Sequence, residues 1–455
     1  MTLMRARDED LRQALAAGAR GLSRRRALKA VAAAGAALVA GCRRVSPGPR
    51  PITSNQAAEL YVRLSLSLAR HQPSLVDTWL GAAAWGDGTR EPVAAIQTRI
   101  GEAQRAVAGM SDPGDDAEAV RRRYLTGQMR ALAVAAGRLA GASASFADEA
   151  GEGLGVRPPP RDAAALDRVR QELSERLPGR GSLAERHAAF RRAQAVPAAR
   201  VEAVFAAAVA WCREAATAVL PLPAGERIAL SAADERGWAA FSRPHDARTS
   251  DVWVSRNGGA DAAQLLQLAA HEGTPGHHAQ HVLATAALVE QRGWAERALT
   301  PAFGPHRLLA EGAAEAGAEL LLPLDVRERV CAERLFPAAG LSPGVAPLLV
   351  RVERLVAALD LEVAHLAAEY LDTALGTEAA TTRLRDEALV LDPPGMLSFV
   401  EKQRSRVLAY PLGRRLVGEA VAAAPAAERW ARFALITTLL DATPPAQALA
   451  TVNRE

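Results

Sequence analysis

Apolar residues recur at spacings of three and four along most of the chain between residues 56 and 440, a period that admits little besides helix. Ala, Leu, Arg and Glu, all strong helix formers, fill these stretches. Helices are expected over 56–70, 92–110, 114–139, 162–175, 183–193, 197–218, 261–272, 277–291, 307–321, 347–374, 377–389, 396–408 and 425–440. The breaks fall where Gly and Pro collect, at Gly151–Pro160, Pro221–Gly225, Pro301–Pro305 and Leu391–Gly395. One short stretch, Asp251 to Ser255, alternates in the manner of a strand. An exposed strand there could hold an extended peptide by strand addition. The pattern predicts a mainly α protein, one large helical domain over residues 52–455 with little β-structure. At 455 residues, 49% of them hydrophobic, the chain can bury a sizeable core.

The basic balance of the chain is local. Of its 55 basic and 51 acidic residues, residues 1–42 hold eight and three, leaving 47 and 48. The remainder is close to neutral, so charge gives no reason to expect a nucleic-acid partner. The basic segment reads instead as an export signal. Ser23 to Lys29 resembles a twin-arginine motif with Arg24 and Arg25 as the pair, and an apolar run from Ala30 to Ala40 follows. Val39-Ala40-Gly41-Cys42 resembles a lipoprotein processing box, which predicts lipidation at Cys42. Residues 43–51, rich in Pro, Gly and Arg, then form a tether, and the mature protein is expected in the cell envelope, held to a membrane by its lipid. Cys212 and Cys331 form either one disulfide or two isolated buried thiols.

Four of the nine histidines, His271, His277, His278 and His281, lie in the stretch AAHEGTPGHHAQH. In an unbroken helix His271 and His277 would point about 120° apart and stand about 9 Å apart along the axis. They could not share a zinc ion with ligand distances of about 2.1 Å. Pro275 and Gly276 interrupt the helix, however, and a kink can return either His277 or His278 to His271. His281 falls outside the ligand set. A third ligand is available downstream, where Glu311, Glu315 and Glu319 recur every four residues on an otherwise Ala/Leu helix. The alternative for these three is a solvated helix face. Beside the histidines, Glu311 is the better ligand and Glu315 the better partner for a histidine N–H. Glu272 is placed to exchange protons with an attacking water. Tyr410, Arg404 and Arg406 are candidate donors to a developing oxyanion. The sequence contains no phosphate-binding loop, no GxSxG and no dinucleotide fingerprint; GEGLG at 151–155 lacks the strand and helix such a fingerprint needs.

His271-Glu272-Gly273-Thr274-Pro275-Gly276-His277-His278-Ala279-Gln280 resembles the HExxPGHHxQ signature of the bacterial family called domain of unknown function 885. That family looks like a set of helical, zinc-dependent metallopeptidases with a gluzincin-like cleft, many of them exported or lipid-anchored. The resemblance implies zinc on His271, one of His277 and His278, and Glu311, with Glu272 as base and Tyr410 as transition-state donor. Glu311-Gly312 is similar to the family's EGW segment and Tyr410 to Gly413 to its YxxG segment. Arg351 to Val356 resembles an Arg-rich helix, which makes Arg351 and Arg354, together with Asn257, Arg404 and Arg406, candidate substrate-binding residues. Departures are present. Ala313 stands where an aromatic pocket wall is expected. Ala358 and Glu362 stand where an Asp and a His are expected, with Asp360 and His365 displaced, and Val407 or Arg406 replaces a Gln.

Two functions follow as expectations. The first is zinc-dependent hydrolysis of peptide bonds in a peptide or peptide-like substrate by a metal-activated water. The alternative is a catalytically weakened or inactive lipid-anchored protein that binds metal or substrate. A di-iron bundle would need a second Glu-x-x-His pair, and the sequence offers none.

Overall fold

The computed structural model describes residues 52–440 apart from residue 87, residues 111–114 and residues 235–237. Arg24, Arg25, Cys42 and the tether at 43–51 lie outside the described residues. The described chain is mainly α, as its periodicity predicts. No helix among the described residues is long and apolar enough to cross a membrane.

The first helices are α1 (Ser54–Ala69), α2 (Val93–Ala108) and α3 (Asp116–Leu139). Thr53 starts α1 with a capping box closed by Gln56, and Asp115 caps α3, so each helix begins where a side chain can satisfy its free N–H groups. Their apolar faces enclose Tyr61, Leu64, Leu125 and Met129 in one core. A short strand, β1 (Val76–Trp79), leaves this unit and pairs antiparallel with β5 (Leu299–Pro301).

A second, larger core is built on α4 (Ala198–Thr217). After α4 come β2 (Arg227–Ala233), β3 (Ala240–Pro244) and β4 (Thr249–Ser255), which form a sheet in the order β2-β4-β3. β4 runs parallel to β2 and antiparallel to β3, with Trp253 opposite both Ser231 and Phe241. The strand expected at Asp251–Ser255 is therefore present but central. Both its edges are occupied, and β2 and β3 are the edge strands.

Beyond the sheet the chain forms α5 (Ala262–Leu268) and α6 (His277–Ala284), then α7 (Gly304–Leu321), α8 (Ala346–Ala357), α9 (Asp360–Asp372), α10 (Ala409–Ala422) and α11 (Arg429–Leu439). The single helix expected over 347–374 is divided between α8 and α9. Several helices were not anticipated, among them Leu324–Val330 and the following two. Phe146–Leu154 contains Gly151 and Gly153, which read as breakers, and α10 contains Pro411. Pro411 lies in the first turn of α10, where its missing N–H has no partner to lose.

α7 and α10 touch through glycine. A Cβ on Gly312 would stand 2.3 Å from the Gly413 carbonyl carbon, and one on Gly413 would stand 2.3 Å from the Leu308 oxygen. Only two bare backbones allow this approach. Cys212 and Cys331 are buried and free, so the disulfide alternative is not realised.

Candidate metal centre

The interruption foreseen in the histidine stretch takes a definite form. Asp261 caps α5 by accepting from the Gln264 N–H at 2.9 Å. The helix then widens into a π-turn at Ala269–Gly273, carrying His271 and Glu272, and the chain bends through Thr274–Gly276 before α6 starts at His277. Thr274-Pro275 is a cis peptide. The Gly276 N–H donates to the Ala270 carbonyl at 3.0 Å. A Cβ at position 276 would lie 1.8 Å from the His271 oxygen, so the bend requires glycine.

This bend places the His271 and His277 rings 4.8 Å apart and nearly perpendicular. Glu311, on α7, lies between them. Its Oε2 is 3.2 Å from His271 Nε2 and 3.5 Å from His277 Nε2. Ligands about 2.05 Å from a tetrahedral centre lie about 3.3 Å from one another, so both separations suit a zinc ion. All the candidate ligand atoms lie within 4.8 Å of one another. Oε2 is buried and accepts no directed hydrogen bond, and an ionised oxygen left in that condition is costly unless a cation meets it. The donor set of two imidazoles and a carboxylate therefore fits zinc.

The other edge of each ligand is held. His271 Nδ1 is 2.9 Å from Glu315 Oε1, and Gln267 donates to Glu315 Oε2 at 2.9 Å. His277 Nδ1 donates to Gln280 Oε1 at 3.1 Å, and the Gln280 amide donates to the Ala310 carbonyl at 2.7 Å. His277 Nδ1 thus carries its proton toward Gln280, which leaves its Nε2 lone pair facing Glu311, while His271 Nδ1 lies beside Glu315 without a directed hydrogen bond. Arg307, one turn before Glu311, lies 2.5 Å from its Oε1, so the two carboxylate oxygens have separate duties. Burial would raise the Glu311 carboxyl, but Arg307, His277 and His271 hold it well below the usual range. Burial would likewise lower His271, yet Glu315, Glu311 and Glu272 raise it well above its ordinary value. The field at this point favours a positive charge.

His278 is not part of this cluster. Its Nε2 lies 2.7 Å from Glu226 Oε2 and its Nδ1 lies 2.9 Å from Ser250 Oγ, with the ring fully buried. Glu226 also pairs with Arg213. His278 pins α6 to the sheet, and His277 is the histidine turned toward His271 and Glu311. His281 bonds the Asp246 carbonyl and also lies apart.

Glu272 and Tyr410 line the same cleft of about 520 Å³, together with β3 residues Phe241, Ser242 and Arg243. The Tyr410 ring lies nearly parallel to that of His271, with centroids 6.4 Å apart. Burial and the nearby Glu311 push the Tyr410 phenol upward, against the pull of Arg307, so it keeps its proton at neutral pH. Arg307 is in hydrogen-bonding contact with that phenol and reaches Asp77 at 3.3 Å. The solvated-face alternative fails for Glu311, which is 1% exposed, and holds for Glu319, whose side chain is 44% exposed.

Several candidates lie elsewhere. Asn257 donates to the Asp234 carbonyl in an exposed turn. Arg404 pairs with Glu149, and Arg406 donates to the Ala302 carbonyl. Arg351 and Arg354 are both exposed on α8 outside the cleft, Arg354 at the lining of a neighbouring chamber. Ala313 is fully buried in the core, so an aromatic there would not have walled the cleft. Glu362 is buried against Arg161, and Val407 belongs to the core. Sequence reasoning missed Arg307, Gln280 and β3. The first two carried a signal, at four residues before Glu311 and three after His277.

No family model and no curated protein matches the chain. Solved structures that resemble it include the following two. One is a Colwellia psychrerythraea protein provisionally called a lipoprotein, with 13% identity and a TM-score of 0.48 over 89% of this chain and 77% of that one. The other is a Shewanella oneidensis protein of unknown function, also provisionally called a lipoprotein, with 13% identity and a TM-score of 0.46 over 90% of this chain and 80% of that one.

Proposed function

We propose that the cleft hydrolyses peptide bonds with a zinc ion held by His271, His277 and Glu311. The observation that carries this reading is the placement of both Nε2 atoms 3.2 and 3.5 Å from one buried, unsatisfied Glu311 oxygen. Zinc in such a set supplies Lewis-acid polarisation of the carbonyl and a lowered pKa for the attacking water. Glu272, adjacent to His271 in the π-turn, takes a proton from that water and passes it to the leaving amine. Tyr410, protonated and steadied by Arg307, donates to the oxyanion. The free edge of β3 beside the cleft suits an extended peptide, which can continue the sheet by main-chain hydrogen bonds. The resemblance of residues 271–280 to the domain of unknown function 885 signature points to the same chemistry, although no family model matches the chain.

The N-terminal reading supplies a location. Export through the twin-arginine motif and lipidation at Cys42 would present the helical domain at the surface of a cell-envelope membrane. The weakened-scaffold alternative is motivated by the departures at Ala313, Ala358 and Val407 together; of these, Ala313 is buried in the core and does not line the cleft.

The test is Glu272→Gln in the full-length chain, assayed against a mixed peptide library. Zinc stoichiometry is expected to stay at one while cleavage falls by at least about 10²-fold, the lower end for a lost general base. Full cleavage by this variant, with chelator-sensitive activity in the wild type, would remove Glu272 from the mechanism. Zinc without any cleavage by the wild type would favour the binding-protein alternative.

A further inference from the structure

Gln267 stands on α5, one turn before His271, and its two amide atoms have opposite partners. Nε2 donates to Glu315 Oε2 at 2.9 Å, and Oε1 accepts from Arg327 Nη2. Arg327 belongs to the helix Leu324–Val330, and its Nη1 donates to Glu353 Oε2, on α8, at 3.0 Å. Glu315 Oε1 lies 2.9 Å from His271 Nδ1. A single line of contacts thus runs from Glu353 through Arg327, Gln267 and Glu315 to His271.

The chemistry of the line fixes its order. An ionised carboxylate only accepts hydrogen bonds, and a guanidinium only donates them. A side chain that bridges the two must offer a donor at one end and an acceptor at the other, as the Gln267 amide does. Without Arg327 the amide is free to turn over, which would set its oxygen against the Glu315 carboxylate. Arg327 is itself held: its side chain is 11% exposed and that of Glu353 14%. A shielded ion pair of this kind adds little net stability, because desolvation offsets most of the attraction. Its placement against the Gln267 amide gives it another use. Gln264, on the same helix, makes the contrast. It accepts from Arg191 at 3.0 Å, and Arg191 pairs with Asp261, the cap at the end of α5 away from His271.

We propose that Gln267 and Arg327 are positioning residues of the metal centre. Arg327, anchored by Glu353, orients the Gln267 amide, which holds Glu315 against His271 and so strengthens zinc binding. The proposal rests on the zinc reading of the cleft. Both residues act through Glu315 and His271 rather than on the ion. Groups that orient a metal-bound histidine in this way contribute about 10–100-fold in metal affinity.

The test is the zinc dissociation constant of the full-length chain, measured by competition with a chromophoric chelator, with thermal unfolding of the metal-free protein beside it. Gln267→Met keeps most of the side-chain bulk, loses the donor, and should weaken zinc binding by about 10–100-fold. Arg327→Met combined with Glu353→Leu removes the ion pair without leaving a buried charge, and should weaken zinc binding by a similar factor. All three changes together should weaken it no further than either set alone, because both act through one amide. Gln264→Met is the packing control, and should keep wild-type zinc affinity whatever its Tm. Wild-type affinity in folded Gln267→Met or in the folded ion-pair variant would overturn the proposal. Additive losses, or equal weakening by Gln264→Met, would assign the line a packing role and overturn it too. A wild-type chain that binds no zinc would reject the zinc reading and the proposal with it, whereas zinc bound equally by all the variants would reject the proposal alone.

Discussion

Replacing Gly413 with Ala isolates the part played by the contact between α7 and α10. The new Cβ would stand 2.3 Å from the Leu308 carbonyl oxygen and 2.9 Å from the Gly312 Cα, where ordinary contact begins near 3.4 Å. The helices must therefore separate by about 1 Å, and overpacking of this kind costs about 1–3 kcal/mol of stability. Tyr410 lies one turn earlier on α10 and moves with it, while the π-turn at Ala269–Gly273, α6 and α7 carry the proposed ligands. A displacement of about 1 Å can cost about 10²-fold in rate. The expected result is a folded variant with full zinc content, a lower Tm and a kcat reduced by about that factor. Tyr410→Phe should show a similar loss, and combining the two should add little, because both act through one group. Gly418→Ala, on the same helix with no atom within 4 Å of the new Cβ, should leave kcat unchanged. Stopped assays on a peptide substrate, zinc analysis and thermal unfolding decide the matter. Wild-type kcat in a folded Gly413→Ala protein would refute the argument that helix approach positions Tyr410.

Other substitutions probe other parts of the molecule. Gly276→Ala puts a Cβ 1.8 Å from the His271 oxygen and should abolish zinc binding by reopening the bend, as read by metal analysis of soluble protein. His278→Ala removes one of the two partners of Glu226, Arg213 remaining, and should cost about 1–3 kcal/mol in chemical denaturation. His187 supplies a pH effect. Its folded value of about 4 lies below the ordinary 6.5, so the unfolded chain takes up the proton first as pH falls. Its contribution is intact above pH 6.5 and is lost between 6.5 and about 4, by about 3 kcal/mol. Denaturation of the wild type against His187→Gln should show a shallower acid decline in the variant.

The helical class was legible because burial of an apolar stripe writes a period into the sequence, and α1 to α4 follow it closely. What escaped depended on contacts distant in sequence. Pro411 and the glycines at 151 and 153 looked like breakers, yet Pro411 sits where a helix tolerates it and the short glycine-bearing helix is held by Phe146 and Leu154 in the core. The strands β2 and β3 carry weak alternation, since β2 is exposed along most of its length and β3 lies half-buried at an edge. His271, Glu272, Glu311 and Glu315 could be assigned from residue type and spacing alone. The choice between His277 and His278 could not, because it turns on the π-turn before Gly273 and on Glu226, which claims His278 from 52 positions away. Arg404 and Arg406 looked like anion donors only while Glu149 and the Ala302 carbonyl were out of view.

The central claim is that His271, His277 and Glu311 form one zinc site. Zinc analysis of the purified full-length chain after equilibration with a zinc buffer tests it most directly, with His277→Ala, Glu311→Ala and His278→Ala measured beside the wild type. The account predicts one zinc per wild-type chain, essentially none in the first two variants, and one in the folded fraction of the third. Zinc retained without His277, or lost only without His278, would contradict it.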